Sequence, residues 1–327
     1  MRPAREVSVI VPVVARPEPL DALYREFSAP FAGAGIRFEF LFVLDPALEG
    51  WWERQRGLLD PLRSAGAPIR VLRLAQVAGE AELVRAGAAE ARYPLLLILP
   101  AWRRVEAGAL PLLLDRVADG ADAAVAVRSP RRDPWPSRLR SRAFRFLARP
   151  VTRRFRDLGA GVVAIRAEVF REVPPYGGSY RYLPVLAERE GFQVDEVELP
   201  QHPADTGVRA AGPGAYLERA IDLLGLFFLV RFTHKPLRFF GLLGALLGAA
   251  GVALLLVLLV QRLGGQGIAN RPALLLGTLL VVFGTQSIAL GLVAEIIVHL
   301  TAPQHRAYRL ARPEREGRGS APEPGDA

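Results

Sequence analysis

The sequence predicts an α/β protein: a doubly wound, mostly parallel sheet followed by a two-helix transmembrane hairpin. Three observations predict it. From Glu6 to Val127, short apolar or alternating runs take turns with stretches of helical spacing, the pattern of strands joined by crossover helices. Leu95 to Leu99 is unbroken and apolar, too short for most helices, and reads as the central strand of a parallel sheet, buried on both faces. Leu237 to Leu263 and Pro272 to Leu300 are each long enough to cross a bilayer core of about 30 Å.

Each element follows from its own residues. Glu6 to Val14, E-V-S-V-I-V-P-V-V, is the first strand, and Pro12 is expected to end regular pairing because it lacks an N–H. Leu20 to Phe27 has helical spacing. Arg37 to Leu44 is the second strand, ending in Asp45-Pro46. Trp51 to Ser64 is a helix with Trp52, Leu58, Leu59 and Leu62 as its apolar positions, and Ile69 to Leu74 alternates as a strand. Gly79 to Ala91, rich in Ala and Glu, is a helix by propensity. After the central strand come a helix at Ala109 to Val117 and a strand at Ala121 to Val127.

Beyond Arg128 the texture changes. Ser129 to Pro136 is a loop. Ser137 to Phe155 is basic and amphipathic, with seven arginines among Leu139, Phe144, Phe146, Leu147 and Val151. It is either a solvated helix face or a helix lying on anionic head groups. The turn D-L-G-A-G opens the segment Asp157 to Val173, which continues as a strand and a short helix from Ala167. Tyr180 to Glu190 reads as a helix, Phe192 to Leu199 as a strand, and residues 200–213 as a polar loop. The expected division is a sheet domain at 1–215, an interfacial helix at 216–236, two spanning helices at 237–300 and a polar tail at 301–327.

Composition narrows the partners. The 327 residues carry a net charge of +9, almost wholly from arginine, since Lys235 is the only lysine. Such an excess suits nucleic acid, an anionic membrane or phosphorylated substrates; two spans favour the last two over nucleic acid. Genomic base composition explains the arginines equally well. Cysteine is absent, which excludes disulfides and thiolate chemistry, and His202, His234, His299 and His305 are scattered. Met1 to Glu6 is polar and lacks the look of a signal peptide. His234, Lys235 and Arg238 precede the first span, and His299, Arg306, Arg309 and Arg312 follow the second, so the expected location is the inner membrane, with the sheet domain and both ends in the cytoplasm. Glu295 is expected to pair with Arg238 or a neighbouring arginine. Gly241, Gly244, Gly248 and Gly251 suit close helix packing, within the chain or in a homo-oligomer.

Ligands of open α/β sheets bind beyond the carboxyl ends of the strands. Here the central strand leads into Pro100-Ala101-Trp102-Arg103-Arg104, with no carboxylate until Glu106.

The order of motifs resembles the family 2 glycosyltransferases with a GT-A fold. Within them it is most similar to the polyprenyl-phosphate sugar transferases, such as dolichol-phosphate mannose synthases with a two-helix anchor. V-S-V-I-V-P-V looks like that family's opening strand and F-L-F-V-L-D-P like its second. R-L-A-Q-V-A-G-E-A-E-L-V-R-A-G, D-L-G-A-G-V-V-A-I-R-A-E-V and R-Y-L-P-V-L-A-E-R-E-G-F-Q-V-D-E-V resemble later family segments. The resemblance implies a nucleotide sugar and a lipid phosphate as substrates. The departures fall at the site. The family's Asn-Glu is Ala15-Arg16, its paired aspartates are Leu44-Asp45, its Asp-x-Asp is Pro100-Ala101-Trp102, and its Gly-Phe-Arg is Gly161-Val162-Val163; Asp157 and Arg166 remain.

An Asp-x-Asp pair holds Mg²⁺ or Mn²⁺ against a diphosphate, where the ion acts as a Lewis acid. Proline and tryptophan ligate neither ion, so no cofactor is expected, although the family implies a metal. Arginines clamp phosphates bidentately instead. The substrate-binding candidates are Asp45, Pro100, Trp102, Arg103, Arg104, Arg128, Arg131 and Arg166, with Arg132 beside them; each arginine is equally readable as solvated surface. Asp157 is the catalytic candidate, orienting an acceptor or merely capping its turn. Asp45 touches a nucleotide or simply begins a turn. Trp102 plugs the former metal site, stacks on a ring, or faces lipid. Two functions remain: a membrane-anchored sugar transferase working without the usual metal, or an inactive homologue serving as a membrane-bound binding partner.

Overall fold

The computed structural model describes residues 6–14, 17–130, 155–157, 160–173, 180–205, 236–264 and 272–301. The stretch Ser137 to Phe155 (save Phe155), the interfacial helix, Ala15-Arg16, Arg131, Arg132 and the tail lie outside the described residues. The chain divides into two units, Met1–Arg231 and Phe232–Ala327.

In the first unit the elements are β1 (Glu6–Val13), α1 (Leu20–Gly33), β2 (Arg37–Leu44), α2 (Glu49–Ser64), β3 (Ile69–Arg73), α3 (Glu80–Glu90), β4 (Leu95–Ile98), α4 (Leu110–Ala118), β5 (Ala123–Arg128), β6 (Val163–Arg166), α5 (Ala167–Glu172), α6 (Leu183–Arg189) and β7 (Val194–Leu199). The seven strands form one sheet in the order β3-β2-β1-β4-β6-β5-β7, so β4 is the middle strand. Every pairing is parallel except those of β6, which runs antiparallel to β4 and β5. The fold is thus the expected mostly parallel sheet; the reversal of β6 is not foreseen by the sequence.

Period-two alternation sorts the side chains onto two faces. Val7, Val9, Val11 and Val13 of β1 join Phe40 and Phe42 of β2 under α1, α2 and α4. Ile10, Leu41, Val43, Leu96 and Ile98 meet α3, α5 and α6 on the opposite face, where Phe155 is also buried. The two-sided burial of β4 is what its unbroken apolar run demands. Pro12 does not end β1, contrary to expectation: Val13 still pairs with Leu44. The Val13 carbonyl accepts from Asp45 N–H on the β2 side, whereas the Ile10 carbonyl accepts from Leu99 N–H on the β4 side. Alternation therefore aims the donor-less Pro12 nitrogen toward β4, whose pairing with β1 has already ended at Ile98.

α3 lies so close to β1 that a Cβ on Gly87 would meet Ile10 Cγ2 at 2.6 Å and Val43 Cγ2 at 3.1 Å. Gly87→Val is expected to cost about 1–3 kcal/mol through overpacking, read as a lower denaturation midpoint at an unchanged slope; an unchanged midpoint would show that α3 stands further off.

In the second unit α7 (Pro236–Leu263) and α8 (Pro272–Thr301) are both long and apolar enough to cross a membrane. They run antiparallel. A Cβ on Gly244 would lie 2.5 Å from the Gly284 carbonyl oxygen, and one on Gly251 would lie 2.8 Å from that of Gly277. The glycines of both helices thus let their backbones touch. Glu295 does not meet an arginine as expected; it accepts from the backbone N–H of Leu237 at 3.2 Å. That N–H sits in the first turn of α7, where no carbonyl four residues back is available.

Candidate active site

Six strands point the same way, so the carboxyl ends of β1, β2, β3, β4, β5 and β7 share one edge. Beyond β4, Pro100 and Ala101 are buried and Trp102 is half-buried against the core. The segment is held from both flanks. Glu18 N–H donates to the Ala101 carbonyl; Glu106 N–H donates to Pro200, and His202 N–H to the carbonyl of Arg104. Val105 and Gln201 form a short antiparallel bridge.

The arginines of this edge differ in what they meet. Arg103 turns to α1, where it pairs with Glu26 and, at 2.7 Å, with Glu18; the Glu26 contact holds its guanidinium above the usual arginine range. Arg128, at the end of β5, is buried: its Nε and Nη2 donate to Asp157 at 2.7 and 3.1 Å, and its Nη1 donates to Asp205 at 3.0 Å. Gln201 donates to the same Asp205 oxygen at 3.0 Å. Arg104 reaches the other oxygen of Asp205 at 3.3 Å, donates to the Ala160 carbonyl at 3.4 Å and lies 6.0 Å above the Trp102 ring. Burial, and after it the Arg128 guanidinium, pull the Arg104 pKa down to about 10.

The polypeptide entering β6 completes this edge. Gly161 has φ +66, and the Tyr180 hydroxyl donates to its carbonyl at 2.6 Å. A side chain there would strain the backbone and crowd that hydroxyl, 3.1 Å from the would-be Cβ. Burial pushes the Tyr180 hydroxyl well above the usual tyrosine range, so it stays protonated as the donor. Arg181 follows and pairs with Glu80 at 3.4 Å.

Arg104, Arg128, Asp157 and Trp102 are therefore brought together, as their edge positions suggested. Three expectations need correction. Arg166 is not at this edge. Because β6 runs backwards, Arg166 pairs opposite Leu95, at the start of β4, and donates to the carbonyls of Val117 and Ala121. Arg103 is tied to Glu26 on α1 and to Glu18 just before it. Asp157 does not stand open as a base: both its oxygens accept from Arg128. Asp45 lies apart, at the end of β2. Its Oδ1 accepts from Ala47 N–H at 2.8 Å, and it lines a cleft with Leu44, Pro46, Glu49, Trp52, Arg73 and Leu74, where Arg73 pairs with Glu49. Asp205, Gln201, Glu18, Glu26 and Arg181 were missed; they sit in polar loops or on a helix face, with no sequence signal for their pairing.

A divalent metal does not fit the residues beyond β4. The side chains of Pro100 and Ala101 carry no ligand atom, and the Trp102 indole offers only an N–H. Among the described residues, no group of three or more His, Asp or Glu lies together where it could share an ion.

No protein-family profile matches the chain. It is 24% identical over 298 residues to the dodecaprenyl-phosphate galacturonate synthase of Rhizobium johnstonii, covering 89% of this chain and 87% of that one. The chain is thus similar, over most of its length, to a polyprenyl-phosphate sugar synthase. The match is longer than the first unit, which ends at Arg231, so it takes in apolar hairpin as well as sheet. Among solved structures, glucosyl-3-phosphoglycerate synthase of Mycobacterium tuberculosis, crystallised with Mg²⁺ and uridine diphosphate, is 14% identical over 68% of this chain and 78% of that one, with a TM-score of 0.48. A mycobacterial protein is 17% identical over 69% of this chain and 75% of that one, also with a TM-score of 0.48.

Proposed function

We propose that this protein is a membrane-anchored glycosyltransferase that moves a sugar from a nucleotide donor to a polyprenyl phosphate. The observation that carries this reading is the end-to-end relation to a polyprenyl-phosphate sugar synthase, through both sheet and hairpin. In this reaction an oxygen of the lipid phosphate attacks the anomeric carbon. A carbon–oxygen bond forms there, and the bond to the nucleoside diphosphate breaks. The attacking phosphate is already an anion, so no general base is required. Asp157 accordingly acts as a positioning residue that holds Arg128. By the family resemblance, Asp45 is the residue proposed to touch the nucleoside, and the edge around Trp102 and Arg104 is proposed for the phosphates. The hairpin spans the inner membrane twice, with the sheet domain and both ends in the cytoplasm, as the basic residues flanking the spans suggest.

The locked Asp157 and the missing Asp-x-Asp favour a second reading, a non-catalytic membrane partner. One assay separates the two. The purified full chain in nanodiscs containing undecaprenyl phosphate is supplied with radiolabelled nucleotide sugars, uridine diphosphate-galacturonate among them. Transfer of label to lipid from one donor, absent without the lipid phosphate, is the expected result. Nucleotide binding with no labelled lipid from any donor would replace the transferase with the binding partner.

A further inference from the structure

The two spans differ in what they carry at mid-depth. From Phe239 to Val260, α7 has no polar side chain, whereas α8 carries Thr278, Thr285, Gln286 and Ser287. The threonine hydroxyls are satisfied inside their own helix: Thr278 donates to the Leu274 carbonyl at 2.9 Å and Thr285 to that of Val281 at 3.0 Å. A carboxamide brings two N–H donors as well as an acceptor, and no hydrogen bond reaches that of Gln286 from the described residues. Gln286 lies about 21 Å along the helix from Pro272 and about 17 Å from Ile297, the ends of the span. More than half of a bilayer core of about 30 Å therefore separates it from either end. It is exposed on the hairpin. Gly284 faces Gly244 and Gly248 of α7, and Gln286, two residues on, is turned about 200° from it, onto the face that α7 leaves uncovered. Apolar side chains on that face need no partner in lipid, but an amide does.

We propose that a second copy of this chain covers that face, with the two α8 helices parallel and their Gln286 carboxamides hydrogen-bonded to each other across a twofold axis. Copies inserted in the same direction hold residue 286 at the same depth. α7 offers no side-chain partner there, so the amide of the other α8 is the group that answers it. A carboxamide is donor and acceptor at once, which makes the contact self-complementary, as an isologous interface requires. Leu279, Val282, Ala289 and Val293 flank Gln286 in steps of three and four, and all are exposed. That is the spacing of a left-handed helix pair, in which a single polar residue fixes the register. The proposal goes beyond the transfer reaction and is independent of whether the sheet domain turns over.

Energy transfer between copies of the full chain in phosphatidylcholine liposomes tests this. Donor and acceptor dyes are attached in separate batches through Ala327→Cys, the chain having no cysteine of its own, and the batches are mixed at graded protein-to-lipid ratios. Transfer above that of randomly spread chains is expected, and Gln286→Leu raises the mole fraction at which the pair dissociates about tenfold. Gln286→Asn keeps part of the affinity, and Thr285→Val, which removes a hydroxyl bound within its own helix, changes nothing. Single cysteines report the face. Oxidation of Val282→Cys yields covalent dimers faster than oxidation of Val252→Cys, which is exposed on α7 next to the level of Val281. Circular dichroism accompanies each variant, and where Gln286→Leu does not insert, the two cysteine variants decide. Self-association unmoved by Gln286→Leu, or faster cross-linking at Val252→Cys, overturns the proposal. Transfer no greater than random overturns it as well and assigns Gln286 to a lipid or to a different membrane protein.

Discussion

Arg128→Met is expected to lower the unfolding free energy of the sheet domain by about 3–5 kcal/mol, the largest loss from any single substitution considered for this unit. The side chains of Arg128, Asp157 and Asp205 are 4%, 4% and 6% exposed, so methionine would take the shared guanidinium from two carboxylates held away from water, leaving Asp205 to Arg104 and Gln201. Their mutual repulsion and lost hydrogen bonds set the size of the effect. Adding Asp157→Leu and Asp205→Leu to the same chain should recover most of the loss, because a buried ion cluster replaced by apolar groups of similar volume is often neutral or better. Denaturant titration followed by tryptophan fluorescence reads both. A loss under about 1 kcal/mol for Arg128→Met would mean that the cluster is hydrated, as surface pairs of that strength are. The same cluster gives Asp157→Asn a diagnostic outcome. A catalytic base replaced by its amide loses turnover at unchanged stability, whereas the positioning residue described above loses stability first.

Most of the sheet was legible because burial on both faces leaves a plain mark. The apolar run at β4 and the regular spacing of the helices needed no tertiary information. Direction did not show. β6 is as apolar as its neighbours, and nothing in V-V-A-I-R reveals that it runs backwards between β4 and β5. That reversal carries Arg166 to the far edge, so a residue that matched the family motif proved to be one that closes the end of α4. The candidate site was legible by position and not by pairing. Trp102, Arg104 and Arg128 were placed at the correct edge by the strands before them. Their partners were hidden, because Asp205 lies in a polar loop and Glu18 and Glu26 sit beside α1 or on its surface, where carboxylates are ordinary. Charge pairing across 77 or 101 positions, as for Arg128 and Arg104 with Asp205, has no periodicity for a sequence to display.

The hairpin offers the second large effect. Gly284→Ile is expected to cost about 3 kcal/mol or more, the upper end for overpacking, because the obstacle is backbone. A Cβ at Gly284 would lie 2.6 Å from the Gly248 nitrogen, 2.7 Å from the Gly244 carbonyl oxygen and 2.9 Å from the Gly248 Cα. No rotamer change relieves contacts of that kind, so α7 and α8 must move apart and lose the dispersion contacts that hold helices together in lipid. Gly248→Ala provides the contrast within the same stripe. Its own Cβ would meet nothing within 4 Å, so the substitution should be neutral, or gain up to about 1 kcal/mol of helix propensity. Unfolding of the full chain by sodium dodecyl sulfate in mixed micelles, followed by loss of helical signal, distinguishes the two. Equal damage from Gly248→Ala and Gly284→Ile would show that the helices meet along a different face. Damage from Gly284→Ile alone ties the pairing to the close contact of Gly244 and Gly248 with Gly284.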